Sequence, residues 1–411
     1  MTTETTTETV TTFASLGVPE DLVELLASQG ITSPFPIQAL TITDALSGKD
    51  ITGRAETGSG KTLAFGIPMI IQVVKSRPRR PQGLVLVPTR ELALQVARAL
   101  APLLHLRGLT AVAIYGGAPM SDQMDALKNG ASIAIATPGR LIDLLERRAF
   151  DPQDVSIVVI DEADQMADMG FMPQVRKIMA QIPDNRQTLL FSATLDHQVQ
   201  ELIDRYMHDP VNHDVASSSE NIVGMEHRFL KVHYMDKAKV VAEISRHNSR
   251  ILAFTRMKSG ADRLSTELRS LGVSAAPIHG DLPQRKREQS LDRFARGEIG
   301  VLVATNVAAR GLHIDGVDVV IHFDPPDDPK TYLHRSGRTA RAGEDGLVVT
   351  LVEWDQVNEV LGIQRRASLN IPIVKMFSND ERLADLAGWV PPPEEAPFTA
   401  KSIKKRKRRG F

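Results

Sequence analysis

The stretch Ala55-Glu56-Thr57-Gly58-Ser59-Gly60-Lys61-Thr62 has the spacing of a phosphate-binding loop, with Ala55 where the general pattern writes Gly. Small residues let backbone N–H groups close around phosphate oxygens at a helix N-terminus. In such a loop Lys61 reaches the terminal phosphates and the Thr62 hydroxyl can ligate Mg2+. Alone, the match could be a Gly-rich turn. Far downstream, Val158-Val159-Ile160-Asp161-Glu162-Ala163-Asp164 passes from β-branched apolar residues to three carboxylates within four positions. The apolar run predicts a buried strand, and open parallel sheets hold their ligands at the carboxyl ends of strands. Asp161 would hold Mg2+ through bound water, while Glu162 would orient and deprotonate an attacking water. Two acids after a strand are otherwise a common helix cap. With a phosphate loop in the same domain they point to nucleotide hydrolysis.

Positioning these groups takes strands that end where the chemistry is. From Phe13 to about residue 215, short apolar runs alternate with longer amphipathic segments: GLVLVP at 83–88, IAIATP at 133–138, IVVID at 157–161 and TLLFSAT at 188–194. The polar stretch Ala216-Ser217-Ser218-Ser219-Glu220-Asn221 interrupts the pattern, which restarts with RILAFT at 250–255, IGVLVAT at 299–305, VDVVIHF at 317–323 and GLVVTLV at 346–352. This predicts an α/β chain of two tandem parallel-sheet domains with a cleft between them. The expected boundaries are a tail over 1–12, a first domain over 13–215, a linker over 216–228, a second domain over 229–377 and an extension over 378–411.

Of the 411 residues, 24% are charged and 42% hydrophobic, with no apolar run of membrane-spanning length. There is no cysteine, and the first residues, MTTETTTETVTT, have neither a basic nor an apolar leader segment. A soluble cytoplasmic monomer is expected. The net charge of −1 conceals an asymmetry: KSIKKRKRRGF at 401–411 holds seven of the 49 basic residues, leaving 42 bases against 50 acids, a net of −8, before it. A basic tail of this kind binds polyanions non-specifically or is simply solvated. Aromatic residues are only 5% of the chain, so no aromatic-rich platform for bases is expected.

Asp161-Glu162-Ala163-Asp164 spells the signature of the DEAD-box ATP-dependent RNA helicases, and from Phe13 to about residue 352 the chain resembles that family in motif order and spacing. The resemblance implies two RecA-like domains acting on ATP and RNA with Mg2+. Gly30-Ile31-Thr32-Ser33-Pro34-Phe35-Pro36-Ile37-Gln38 resembles the Q motif, with Phe13 as its isolated aromatic and Phe35 where the family usually has Thr. A glutamine amide can read the N6 and N7 edge of adenine, and a phenyl ring can cover its face.

The resemblance assigns sequence-independent RNA contacts to Pro88-Thr89-Arg90, Gly116-Gly117 and Thr137-Pro138-Gly139-Arg140 in the first domain, and to Gly280, Gln284, Arg287 and Thr305 in the second. Ser192-Ala193-Thr194 resembles the motif that links hydrolysis to strand separation. His334-Arg335-Ser336-Gly337-Arg338-Thr339-Ala340-Arg341 resembles the arginine-finger motif, with Arg338 and Arg341 facing the γ-phosphate and His334 and Arg335 in coupling. Two positions depart from the family: Asn306 replaces a frequent Asp, and His313 stands where an Asp usually accepts hydrogen bonds from the ribose. The resemblance thus implies an RNA-stimulated ATPase that unwinds short duplexes or remodels ribonucleoprotein, the alternative being an ATP-gated RNA clamp with slow turnover.

Overall fold

The structure, a computed structural model, describes residues 11–55, 58–215, 225–306, 314, 316–339, 346–392 and 397, with the Gln284 side chain left aside. The chain divides into two compact units, Met1–Ser217 and Ser218–Phe411. In the first, the strands are β1 (Ile51–Arg54), β2 (Gly83–Leu86), β3 (Ala111–Ile114), β4 (Ile133–Ala136), β5 (Ile157–Asp161), β6 (Gln187–Ser192) and β7 (Val211–Asp214). They form one parallel sheet in the order β3-β4-β2-β5-β6-β1-β7.

β2, β4, β5 and β6 are buried at every position, which is why they carry apolar runs instead of alternation. The two-residue period still sorts them by face: Val85, Ile135, Val159 and Leu189 enter one core, and Leu84, Ala134, Val158 and Leu190 the other. Gly53 in β1 has a packing cause. A Cβ there would stand 2.6 Å from the Phe191 ring, which itself packs on Phe65 with centroids 5.7 Å apart.

The second unit contains β8 (Met225–Lys231), β9 (Ile251–Thr255), β10 (Ala275–Ile278), β11 (Val301–Thr305), β12 (Val319–His322), β13 (Gly346–Val352) and β14 (Ile373–Lys375). Their order, β10-β11-β9-β12-β13-β8-β14, repeats the first unit's strand for strand, and all pairs are parallel.

Two expected boundaries shift. β8 starts at Met225, so the last residues of the expected linker 216–228 are strand, while 216–224 lie outside the described residues. Nor is the expected extension over 378–411 a tail from its start. A 3-10 helix at Glu381–Asp385 buries Leu383 and, just beyond it, Leu386 in the core of the second unit. The Arg228 guanidinium fixes this segment by donating to the carbonyls of Leu386 (2.7 Å) and Ala387 (3.0 Å). The basic run 401–411 lies outside the described residues. No helix among the described residues is long and apolar enough to cross a membrane.

Candidate active site and nucleic-acid interface

β1 runs through a turn that includes Gly58 and Ser59 into the helix Lys61–Gln72. Gly60 caps that helix in the left-handed region (φ 86°), and a Cβ there would also meet the Gln38 amide nitrogen at 2.5 Å. The Ala55 N–H donates to the Ser192 carbonyl at 3.1 Å, which ties the loop's start to the end of β6. Lys61 is buried as the first helical residue and donates to Glu162 Oε1 at 2.7 Å and to the Ala55 carbonyl at 3.3 Å. Thr62, half-buried, follows it in the same turn. Glu56 and Thr57 lie outside the described residues.

β5 ends in Asp161, and the chain then reverses at Glu162, whose backbone is left-handed (φ 54°, ψ 49°) as it caps the helix Ala163–Asp168. A non-glycine residue in that region costs of order 1–3 kcal/mol and persists only where its surroundings hold it. Here the Lys61 ion pair helps to hold it. Burial pushes Asp161 up to about 7, against the pull of Lys61 and with repulsion from Glu162 adding to it. Burial also works against the charge on Lys61, yet Glu162, Asp161 and Asp164 outweigh it and raise the Lys61 pKa. Among the described residues no group of three or more acids or histidines could hold a metal ion by itself.

Asp164 is fully buried and serves another purpose. Its Oδ2 accepts from the Thr194 N–H (3.2 Å) and hydroxyl (3.1 Å), and its own N–H donates to Ser192 Oγ at 3.1 Å. The Ser192 hydroxyl donates in turn to the Thr194 carbonyl at 2.7 Å. Ser192 and Thr194 are thereby hydrogen-bonded to the last acid of the cluster within the first unit.

Gln38 lies against the phosphate loop. Its Oε1 accepts from the Phe35 N–H at 2.9 Å and its Nε2 donates to the Gly60 carbonyl at 2.8 Å, and the side chain is fully buried between them. Phe13, the isolated aromatic expected to cover adenine, is 2% exposed and shares a core with Leu16, Val18 and Leu22. Phe35 is the half-exposed ring beside Gly60, where a Cβ would meet it at 2.9 Å.

The sheet order brings the other three patches of the first unit together at the adjacent ends of β2, β4 and β3. Pro88 leads from β2 to Thr89, which caps the helix Arg90–Leu106 by accepting from the Leu92 N–H. The Arg90 guanidinium lies over the Tyr115 ring at 4.6 Å, and a Cβ on Gly117 would stand 3.5 Å from its Nη1. Gly116 and Gly117 are exposed. Thr137 precedes the helix Pro138–Glu146, which carries Gly139 and Arg140, and its N–H donates to the Ile114 carbonyl at 2.8 Å. Arg140 donates to the Ala118 carbonyl (3.2 Å) and Gln123 Oε1 (3.3 Å), which pins the third patch to the second.

In the second unit Gly280 is exposed after β10, Arg287 is half-buried on the helix Gln284–Ala295, and Thr305 is buried at the end of β11. The helix Pro329–Ser336, capped by Asp328, carries half-buried His334 and buried Arg335, and Arg338 follows it, 8% exposed. Arg335 donates to Asn306 Oδ1 and to the Asp324 carbonyl (3.1 Å), with its guanidinium 4.9 Å over the Phe254 ring. Asn306 thus keeps an acceptor for Arg335, but without the charge of the usual Asp. Arg341 and His313 lie outside the described residues.

Comparison with known proteins agrees with this layout. The model described as DEAD/DEAH box helicase matches residues 35–202, and that of the helicase conserved C-terminal domain matches residues 236–343. A DEAD-box ATP-dependent RNA helicase CshA of Bacillus cereus is 40% identical over 376 residues, covering 91% of this chain and 71% of the relative. The chain belongs to the DEAD-box ATP-dependent RNA helicases. The CshA helicase of Listeria monocytogenes is 41% identical over 346 residues, 84% of this chain and 66% of the relative, so this DEAD-box chain spans about two thirds of that relative's length. Among solved structures, Saccharomyces cerevisiae Dbp5 bound to RNA and ADP–BeF3 matches with a TM-score of 0.79 at 28% identity, over 90% of this chain and 96% of that one. The fold of this DEAD-box protein is accordingly two RecA-like domains in tandem.

Some groups in this helicase are not singled out by motif reading. Tyr115 supports Arg90, and Gln123 holds Arg140. Tyr115 stands directly before Gly116-Gly117 and could have been found there; nothing in the sequence marks Gln123.

Proposed function

We propose that this helicase hydrolyses ATP to ADP and phosphate in step with RNA binding, and that the cycle opens short duplexes locally or remodels ribonucleoprotein. The observation that supports this best is the division of one sheet edge. Nucleotide-type groups stand at the ends of β1, β6 and β5, and groups suited to phosphate and sugar stand beside them at the ends of β2, β4 and β3. Where both ligands favour the same state of this edge, each raises the other's affinity, and by linkage the effect is mutual.

In this reading Gln38 orients adenine, and the loop from Ala55 to Thr62 takes the phosphates on its N–H groups and Lys61. Thr62 and Asp161 would hold Mg2+, which supplies positive charge to the phosphate oxygens. A γ-phosphate that draws Lys61 away leaves the Glu162 carboxylate to orient the water and take its proton. Arg338 and Arg341 complement the charge that spreads over the phosphoryl oxygens. Ser192 and Thr194, fixed to Asp164, couple the acids to the strand, with His334 and Arg335 acting from the second unit. The RNA is held through its backbone without base readout, and the protein acts as a monomer in the cytoplasm.

The test is displacement of one strand from a short RNA duplex with ATP, with ADP, and without nucleotide. ATP-dependent displacement is expected. Steady ATP turnover with tight RNA binding but no displacement would replace the helicase cycle with a clamp.

A further inference from the structure

Among the described residues only four aromatic side chains are exposed: Phe35, Tyr234, Trp354 and Phe377. Three of the four stand at one corner of the second unit, beyond the carboxyl ends of β8, β13 and β14. These strands are neighbours, and Lys231 of β8 pairs in register with Val352 of β13 on one side and Lys375 of β14 on the other. Trp354 follows β13 at 67% exposure, Phe377 follows β14 at 51%, and Tyr234 follows β8 at 65%. Two of the rings have an ammonium beside them: Lys231 Nζ lies 3.5 Å from the Trp354 centroid and Lys375 Nζ 4.8 Å from that of Phe377.

The loops that carry these rings are pinned from below. Ser378 donates its N–H and its hydroxyl to Asp236, each at 2.8 Å, and buried Lys237 pairs with Glu353 at 2.9 Å. Two of the nearby carboxylates, Asp236 and Glu353, are therefore occupied. None of these side chains belongs to the nucleotide or RNA groups described above.

Exposed apolar side chains gathered at one place on a chain poor in aromatics mark a binding surface. Its composition selects the partner. Cores of protein–protein interfaces are depleted in lysine, whereas single-strand sites combine aromatic faces for bases with ammonium groups for phosphates. We propose that this corner is a second single-stranded RNA subsite, with bases stacked on Trp354, Phe377 and Tyr234 and phosphates met by Lys231 and Lys375. The proposal rests on the RNA helicase reading and adds a surface to it.

The chain has two tryptophans. Trp389, the other one, is half-buried between the guanidinium groups of Arg228 and Arg382, at 6.0 and 5.1 Å from its ring. Tryptophan fluorescence of the full chain is therefore titrated with an unstructured oligouridylate in the absence of nucleotide, for the native protein, Trp354→Phe and Trp354→Ala. Stacking predicts quenching in the native protein and none in Trp354→Phe, which keeps an aromatic face and near-native affinity. It also predicts at least about fivefold weaker binding in Trp354→Ala, with RNA-free ATP turnover unchanged. RNA-stimulated ATP turnover without quenching, or with Trp354→Ala binding within twofold of native, overturns the subsite and assigns the patch to a protein partner. A native chain whose ATP turnover ignores RNA would instead strike at the helicase reading itself.

Discussion

Glu162→Gln separates two roles that the structure gives to one carboxylate. The amide keeps an acceptor 2.7 Å from Lys61 in the native geometry but loses its charge and its capacity to take a proton. The substitution turns an ion pair into a hydrogen bond with one charged partner, so the variant holds Lys61 less tightly by about 1 kcal/mol. A phosphate that needs that ammonium meets weaker competition, and ATP should bind up to about fivefold more tightly. Loss of a positioned general base costs about 10²–10⁴ in rate. Affinity is read by titration with a fluorescent ATP analogue and turnover by phosphate release at saturating RNA. Tighter or equal binding with turnover down at least a hundredfold is expected. Turnover within tenfold of native would remove Glu162 as the base, and clearly weaker ATP binding would contradict the competition for Lys61.

Gln38→Ala removes the amide proposed to meet adenine and its anchors on the Phe35 N–H and the Gly60 carbonyl; with two bonds to adenine lost at about 1 kcal/mol each, ATP affinity should fall by roughly tenfold or more, while RNA binding without nucleotide stays native. Loss of both together would indicate misfolding instead. Deleting 401–411 should lower RNA affinity and flatten its dependence on salt by up to about 0.7 per lost charge, leaving the RNA-free ATPase intact; an unchanged salt slope refutes a role for the tail. Burial lowers the His227 pKa to about 4, so the unfolded chain takes up this proton first as the medium acidifies. Its contribution is fully present above about pH 6.5 and is lost as pH falls through about 4, amounting to about 3 kcal/mol. Urea unfolding of the native protein and His227→Gln across that window should show a shallower pH dependence in the variant, and parallel curves would contradict the assignment. Asp161, pushed up to about 7, should make Mg2+-dependent ATP affinity rise with pH through neutrality, and a flat profile in binding titrations would count against it.

The strands legible in the sequence are those buried on both faces. β5 and β13 coincide with the apolar runs at 157–161 and 346–352 because every position there is covered. β1 is not legible, since Ile-Thr-Gly-Arg lacks an apolar run and its glycine answers to the distant Phe191 ring. β7 is a half-exposed edge, and β10 contains Pro277, which an edge strand tolerates. The phosphate loop and the acid pair were legible because their chemistry demands particular residues at particular spacing. The burial of Phe13 is not legible, because an aromatic's spacing does not tell how far the core covers it. Asp164 looked like a third member of the acidic cluster, and only its bonds to Thr194 show it to be a brace.

The most direct test of the central claim is ATP turnover of the full chain with no nucleic acid, with single-stranded RNA, and with single-stranded DNA of the same sequence. Stimulation by RNA and not by DNA is the expected result. Equal rates in all three, with the protein demonstrably bound to both ATP and RNA, would contradict an enzyme in which the RNA strand governs hydrolysis.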